Sequence, residues 1–470
     1  MQKKITTKIA LLISIVLMLS LTGIQCTRGI SREVAEATRP VTLNWWRTFD
    51  DEEAVRPIME AYRILHPNVN IVYRKLRFED YERELLNALA EDRGPDIFSI
   101  HNTWMREWQP KLAHLPPILA IPFQEVKGGL RKEVVATLRR NPTLTLRQLQ
   151  TNFTDVVASD VVIAERDPQT GQPVDKIYGL PLALDTLALY YNRDLTNLSG
   201  IPEPPENWGE LQNAVKRITK IDQEGKIILS GAALGASHNV ERAADILALL
   251  MMQNGADMID LAGNVAFDRI PQALRDRPIP PGEDALVFYT DFANPLKEVY
   301  TWNETMPQSL EAFTQGKTAF MLGYSYHLPQ IRARSPRLNL GIAPAPQIEG
   351  NPEVNFANYW VEAVSKKSSN QHWAWDFIQF ATKADQVTKY LNAAKKPTAL
   401  RALVTSQLED LDIGTFASQV LTAKSWYKGK DSVAAEAAFR EMIEAVLTQA
   451  VEEPREALTL TAQKVNQTLR

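Results

Sequence analysis

The strongest constraint on this fold lies between Val41 and Ile100, where five short segments alternate in period. Val41 to Trp46 (VTLNWW) alternates apolar and polar residues as a half-buried strand does. From Glu53 to Leu65 the apolar residues Val55, Ile58, Met59, Tyr62 and Leu65 return at helical spacing. The acids Asp50, Asp51 and Glu52 precede them and suit a helix N-terminus. His66-Pro67-Asn68 ends that helix, and Val69 to Leu76 is a second strand. Tyr81 to Glu91 is a second helix, stopped by Gly94-Pro95, and Asp96 to Ile100 is a third strand. This β-α-β-α-β order predicts a mostly parallel sheet with helices on its faces. Open sheets of that kind bind ligands beyond the carboxyl ends of their strands. Those ends are Trp46, Arg47, Thr48 and Phe49, and then His101, Asn102, Thr103 and Trp104.

A second informative stretch is Tyr178 to Leu195, YGLPLALDTLALYYNRDL. It opens on the turn Gly179-Leu180-Pro181, runs apolar from Leu182 to Tyr191, and closes on Asn192-Arg193-Asp194. One acid, Asp185, interrupts the run. A carboxylate inside a buried strand is costly unless partnered. Asp185 therefore either holds a structural hydrogen-bond network or faces a cleft that takes a polar ligand.

With 470 residues, the chain is too long for one compact core and suits two lobes. Its formal charge is −4, and setting aside Lys3, Lys4 and Lys8 takes it to −7. That balance argues against a nucleic-acid binder. Cys26 is the only cysteine, so neither an intrachain disulfide nor a cysteine metal site is open to it. The six histidines are scattered, and no P-loop, dinucleotide fingerprint or G-x-S-x-G elbow appears. No metal, cofactor or catalytic residue is expected. A glycosidase would need two carboxylates opposed across a bond, and the adjacent Asp50 and Asp51 read better as a helix start.

The Tyr178–Leu195 stretch resembles the hallmark segment of the family 1 extracellular solute-binding proteins of ABC transporters, the maltose-binding-protein-like, sugar-binding group. In that family the segment runs YG-[VL]-P, an acid or amide, aliphatics, then YN-[KR]-D-L. Other segments resemble the family in the same order: the His66-Pro67-Asn68 turn, Gly94-Pro-Asp-Ile-Phe98, the proline-rich turn into Trp208-Gly-Glu-Leu211, and Leu310 to Gly323, read as a hairpin and strand. Asn355 to Ser365 (NFANYWVEAVS) and the helix Trp373 to Thr382 complete the series.

The resemblance implies an α/β, two-lobe periplasmic-binding-protein-like fold, each lobe a mostly parallel sheet flanked by helices, with a hinge between. Lobe 1 would comprise 41–184 and 344–400, and lobe 2 would comprise 185–343 and 401–470. Leu338 to Ala345 would be the second crossing between lobes. The implied function is to capture a carbohydrate, of oligosaccharide size, by hinge closure and to deliver it to a membrane permease, acting as a monomer. Asp185 would accept hydrogen bonds from ligand hydroxyls. Asn102 and Thr103 would bind at the rim of the first lobe beside Arg47. Trp46, Trp104, Tyr324, Tyr326 and Trp360 would be stacking platforms.

At the N-terminus, Lys3, Lys4 and Lys8 precede an apolar run from Ile9 to Ile24, an export signal. Cys26 follows at once, which resembles a lipoprotein signal, although Gln25 departs from the small residue usual there. Residues 1–26 are read as the signal and 27–40 as a tether to the outer face of the membrane, through lipid on Cys26 or an uncleaved helix. Two regions look like additions. Residues 110–176 include a basic helix candidate, Leu130 to Arg140, and Asp167 to Gly171 reads as a hairpin turn. Ile270 to Gly282 is a proline-rich insertion. They leave open a rival reading, a surface-tethered interaction protein that reuses the fold to bind a protein or polymer.

Overall fold

The computed structural model describes residue 35, residues 38–127 and residues 133–470. The signal, Cys26 and most of the tether lie outside the described residues. Among those described, no helix is long and apolar enough to cross a membrane.

The first lobe begins as its periodicity predicts: β1 (Val41–Thr48), α1 (Glu52–Leu65), β2 (Val69–Leu76), α2 (Phe78–Ala90) and β3 (Ile97–His101). β1 pairs in parallel with both β2 and β3. The chain continues through β4 (Leu112–Ala113), a long hairpin of β5 (Ile118–Lys127) and β6 (Glu133–Pro142), the short helix α3 (Asp155–Val161), and a second hairpin of β7 (Val162–Arg166) and β8 (Pro173–Ile177). Of the helix expected over Leu130 to Arg140, residues 133–140 belong instead to strand β6, which pairs with β5 over its full length; the rest lies outside the described residues. Val134, Val135 and Thr137 are β-branched and favour a strand, and pairing with β5 overrides the helical spacing of the charges.

The hallmark stretch is three short strands, not one: β9 (Leu180–Pro181), β10 (Asp185–Thr186) and β11 (Ala188–Asn192). Lobe 2 adds α4 (Trp208–Ile218), β12 (Lys220–Ile221), β13 (Ile227–Ala232), α5 (Ala243–Gln253), α6 (Pro281–Asp291), α7 (Ser309–Thr314), β14 (Thr318–Gly323), α8 (His327–Arg334) and β15 (Leu340–Pro344). Residues 310–323, read as a hairpin and strand, are helix, turn and strand. The chain then returns through β16 (Asn355–Asn358) and β17 (Trp360–Ser365), helices α9 (Gln371–Ala381) and α10 (Ala384–Ala394), and β18 (Ala423–Lys424). It ends in α11 (Ser432–Leu447) and α12 (Pro454–Thr468).

Both lobe sheets are mixed. The first has the order β2-β1-β3-β17-β4 with β9 also on β17, and the second has the order β12-β13-β14-β11-β15. Parallel pairing is confined to β1 with β2 and β3 in the first, and to β13 with β14 in the second. It is less than expected because β17 in one lobe and β11 in the other enter from the opposite lobe and run antiparallel to their neighbours. A small third sheet, β10-β16-β18, lies where the chain passes between lobes. Leu184 belongs to the first core and Leu187 to the second, Phe356 to the second and Ala357 to the first, Ala423 to the first and Tyr427 to the second. At these three places the chain passes from one core to the other. Leu340–Pro344, expected to be a crossing, is instead an edge strand of the second lobe, paired with β11.

Gly179 shows why the hallmark needs its glycine. A Cβ there would stand 2.3 Å from Val361 Cγ1 and 2.9 Å from the Glu362 carbonyl oxygen. The missing side chain lets β9 lie against β17. Gly179→Ala should cost about 1–3 kcal/mol through overpacking, read as a lowered urea midpoint. An unchanged midpoint would show that the two strands part freely.

Candidate functional site

A cavity of about 1070 Å³ opens between the lobes. The carboxyl ends of β1 and β3 supply its first wall, as parallel-sheet geometry requires, and β17 adds Trp360. The crossing strands supply the base, with Asp185 and Asn358, which are paired residues of β10 and β16. The opposite wall carries Arg242, Asp245, Tyr326 and Trp426.

Of the residues singled out from sequence, Arg47, Asn102, Thr103, Trp104, Asp185, Tyr326 and Trp360 line this cavity. Trp46 and Tyr324 do not. Trp46 stands one residue short of the lining residues at the carboxyl end of β1, Arg47 and Thr48, and the Arg74 guanidinium sits 4.5 Å above its ring. Tyr324 is fully buried in lobe 2, and its hydroxyl donates to Asp245 Oδ2 at 2.6 Å. Two residues on, at the start of α8, Tyr326 is 43% exposed and is the aromatic that reaches the cleft, stacked on Tyr324 at 5.6 Å.

Trp360 is the hub of the aromatic wall. Trp104 lies 5.4 Å from it, Phe49 and His101 5.6 Å, and Phe78 6.2 Å. Phe49 and Phe78 stack on each other at 5.3 Å, yet both are about half exposed. Phe49 adopts a φ of 69°, a backbone region that bulky side chains seldom enter. Of this pair, sequence reasoning placed Phe49 at a strand end without assigning it a role, and it missed Phe78 altogether.

Polar groups are held tightly. Arg47, almost fully buried, contacts Asp50 and Glu362 at 3.1 Å each. Asp50, read from sequence as a helix-start acid, is also buried and meets Lys396 at 2.7 Å and the Tyr390 hydroxyl at 2.9 Å. Burial alone would raise its carboxyl, but Arg47 and Lys396 outweigh it and hold the group below the usual range. His101 is pushed down to about 4 by burial and stays neutral, bonded to Thr103 Oγ1 and Asn358 Oδ1. Asn102 donates from Nδ2 to Asp160, whose carboxylate also accepts from Tyr359, Ser425 and Lys428.

Asp185 occupies the crossing itself. Its carboxylate accepts from the Ser325 amide at 2.9 Å and hydroxyl at 2.7 Å, and from its neighbour's amide, Thr186 N, at 2.9 Å. Ser325 belongs to the opposite lobe, so Asp185 is a structural acceptor between lobes and also lines the cavity. Burial lifts its carboxyl to about 6 against those hydrogen bonds. Away from the cleft-lining residues, His238, Glu304 and Glu444 bring potential metal-ligating atoms within 4.8 Å of one another.

Solved structures share this architecture. A cyclic α-maltosyl-1,6-maltose binding protein from Arthrobacter globiformis aligns over 92% of this chain and 99% of its own, with a TM-score of 0.70 and 19% identity. The sugar-binding protein MalE of Xanthomonas citri aligns over 91% and 97%, with a TM-score of 0.67 and 17% identity. The GacH receptor of Streptomyces glaucescens, solved unliganded and with acarbose, aligns over 91% and 98%, with a TM-score of 0.65 and 18% identity. At such identities the likeness is one of fold. A Brucella abortus binding protein is 26% identical over 219 residues, 46% of this chain, and the match spans about half the length of that curated relative. Residues 49–388 match the family model described as bacterial extracellular solute-binding protein, a span that starts at the end of β1 and takes in two of the three crossings. The chain belongs to that family.

Proposed function

We propose that this protein captures a carbohydrate of oligosaccharide size between its lobes and presents it, closed, to a membrane permease, without a chemical step. The observation that carries this reading is the pairing of the Trp360 aromatic wall with Asp185 on the crossing strand. Aromatic faces suit the apolar faces of sugar rings, and a carboxylate suits their hydroxyls. A cavity of about 1070 Å³ lies at the upper end of small-molecule sites and has room for more than one ring. Three short crossings allow a hinge, and a ligand touching both lobes favours the closed state. The saccharide ligands named for the structural relatives point the same way. In this reading Arg47, Asn102, Thr103 and Asp185 hydrogen-bond the ligand, and Trp104, Trp360 and Tyr326 stack on it. In the same reading the protein works as a monomer held at the outer face of the membrane, through lipid on Cys26 or through an uncleaved N-terminal helix.

Thermal unfolding against a panel of mono- and oligosaccharides tests this. A ligand at a hundredfold over its dissociation constant adds about 2.7 kcal/mol, a shift of several degrees. A shift with one saccharide class identifies the cargo. Flat melting curves across the whole panel would turn the assignment toward peptides or other solutes.

A further inference from the structure

The cleft's charges are already spoken for. Every cationic side chain lining it meets a carboxylate: Arg47 meets Asp50 and Glu362, and Lys396 meets Asp50. Arg242 meets Asp245 at 2.7 Å, Arg332 meets Asp412 at 2.6 Å, and Lys395 meets Asp410 at 3.4 Å. Asp185 is the exception among the lining acids paired here. Its hydrogen bonds come from Ser325 and Thr186, and it forms no ion pair among the described residues. Among the described residues the cleft therefore offers a carboxylate with no ion pair and no cation without one.

A second observation concerns hydrogen-bonding capacity. Arg47 Nη1, Thr48 Oγ1 and Asn102 Oδ1 are buried without a partner, and all three residues line the cleft. Each such atom costs about 1–3 kcal/mol, and native structures hold few of them. Their chemistry is settled by their surroundings. The carboxylate of Asp160 can only accept, so the Asn102 amide must turn its nitrogen to Asp160 and keep its oxygen free. Arg47 spends Nε on Ser99 and Glu362 and Nη2 on Tyr390 and Asp50, which leaves the Nη1 donor. The unmet groups are thus a donor, a hydroxyl and an acceptor, beside the acceptor Asp185. A ligand hydroxyl both donates and accepts and can answer all of them. A carboxylate or phosphate only accepts, so where it takes the place of a hydroxyl it cannot serve Asn102 Oδ1 or Asp185, and beside Asp185 it meets a like charge.

We propose that the cleft selects an uncharged, hydroxyl-bearing saccharide and rejects acidic ones, uronic acids and sugar phosphates alike. Asn102 and Asp185 read hydroxyl protons, while Arg47 Nη1 and Thr48 Oγ1 read hydroxyl oxygens. Asp160 is the positioning residue that orients Asn102. The proposal rests on the carbohydrate reading above and adds to it the charge of the cargo.

Calorimetric titration of the whole protein with neutral saccharides and their uronic-acid and phosphate counterparts, at low and high salt, tests it. Neutral members should bind with little salt dependence, and acidic counterparts at least a hundredfold more weakly. Thr48→Val keeps the β-branched shape and removes the hydroxyl. It should weaken neutral-sugar binding about fivefold to tenfold while the ligand-free melting temperature holds or rises, since an unpaired buried hydroxyl is gone. A purely structural Thr48 would leave affinity unmoved, and that result would remove it from the site. Acidic counterparts binding as tightly as neutral ones would overturn the proposal and leave the carbohydrate reading standing. Binding by no member of either series would overturn both.

Discussion

Asp185→Ala is expected to abolish saccharide capture and leave a folded protein. Hydrogen bonds to a charged group contribute about 1.5–3 kcal/mol each, so losing two from ligand hydroxyls weakens binding by more than about a hundredfold. Titration calorimetry reads the affinity, and circular dichroism reads the fold. An affinity equal to that of the parent would strip Asp185 of its recognition role. The same carboxyl ties binding to pH. Burial raises it to about 6, above its ordinary 3.8, so the ionised group weakens the fold at neutral pH. With about 1.4 kcal/mol per unit, that cost is about 3 kcal/mol above pH 6. It shrinks as pH falls through 6 and vanishes below about 4, where the unfolded chain is protonated too. Asp185→Asn should therefore be the more stable protein at pH 7, with the gap closing between pH 6 and 4. Ligand hydroxyls favour the ionised form, so parental affinity should be level above pH 6 and weaken below it, by up to about tenfold per unit.

The second large effect is on stability. Glu362 is 1% exposed and accepts from Trp45 Nε1 at 2.7 Å and Ser99 Oγ at 2.9 Å, while Arg47 Nε stands 3.1 Å away. Glu362→Gln removes one of the two carboxylates that balance the buried Arg47 and turns an amide donor toward groups that need an acceptor. Breaking a buried pair from one side costs about 3–5 kcal/mol. Denaturant unfolding of the first lobe should show a loss of that size. Replacing Arg47 and Glu362 together by apolar residues of similar volume should restore part of it, since no charge is then stranded. A loss below 1 kcal/mol for the single variant would mean that water reaches the guanidinium.

Glu362 and Asp185 carry the same signal in the sequence, an acid inside an apolar run. The one in VEAVS belongs to the core of lobe 1 and the one in LALDTLAL lines the cleft. That difference depends on which strand each lies beside. Arg47, Asn102, Thr103 and Trp104 could be placed on the cavity wall in advance because β1 and β3 are legible in the sequence, and a cleft forms at the carboxyl ends of parallel strands. Trp46 and Tyr324 were misplaced for a one- or two-residue reason. Lining begins at Arg47 on β1 and at Ser325 after β14, so Trp46 and Tyr324 each stop one residue short, and no composition records where a strand end meets the cleft. The strand β6 was hidden because its partner β5 supplies the pairing that overrides local spacing.

The sequence by itself determined the order of elements in the first lobe, the need for two cores, and an acid set within an apolar run at Asp185. Those follow from hydrophobic period, chain length and the cost of burying charge, all of which act locally or on the whole chain at once. Only the tertiary structure decided that Arg47 meets Glu362 and Tyr390 across more than 300 residues, where the chain passes from one core to the other, and that Phe49 and Phe78 flank Trp360 in the aromatic wall. Such partners are chosen by how strands from distant parts of the chain come to lie side by side, and no period along the chain records that choice.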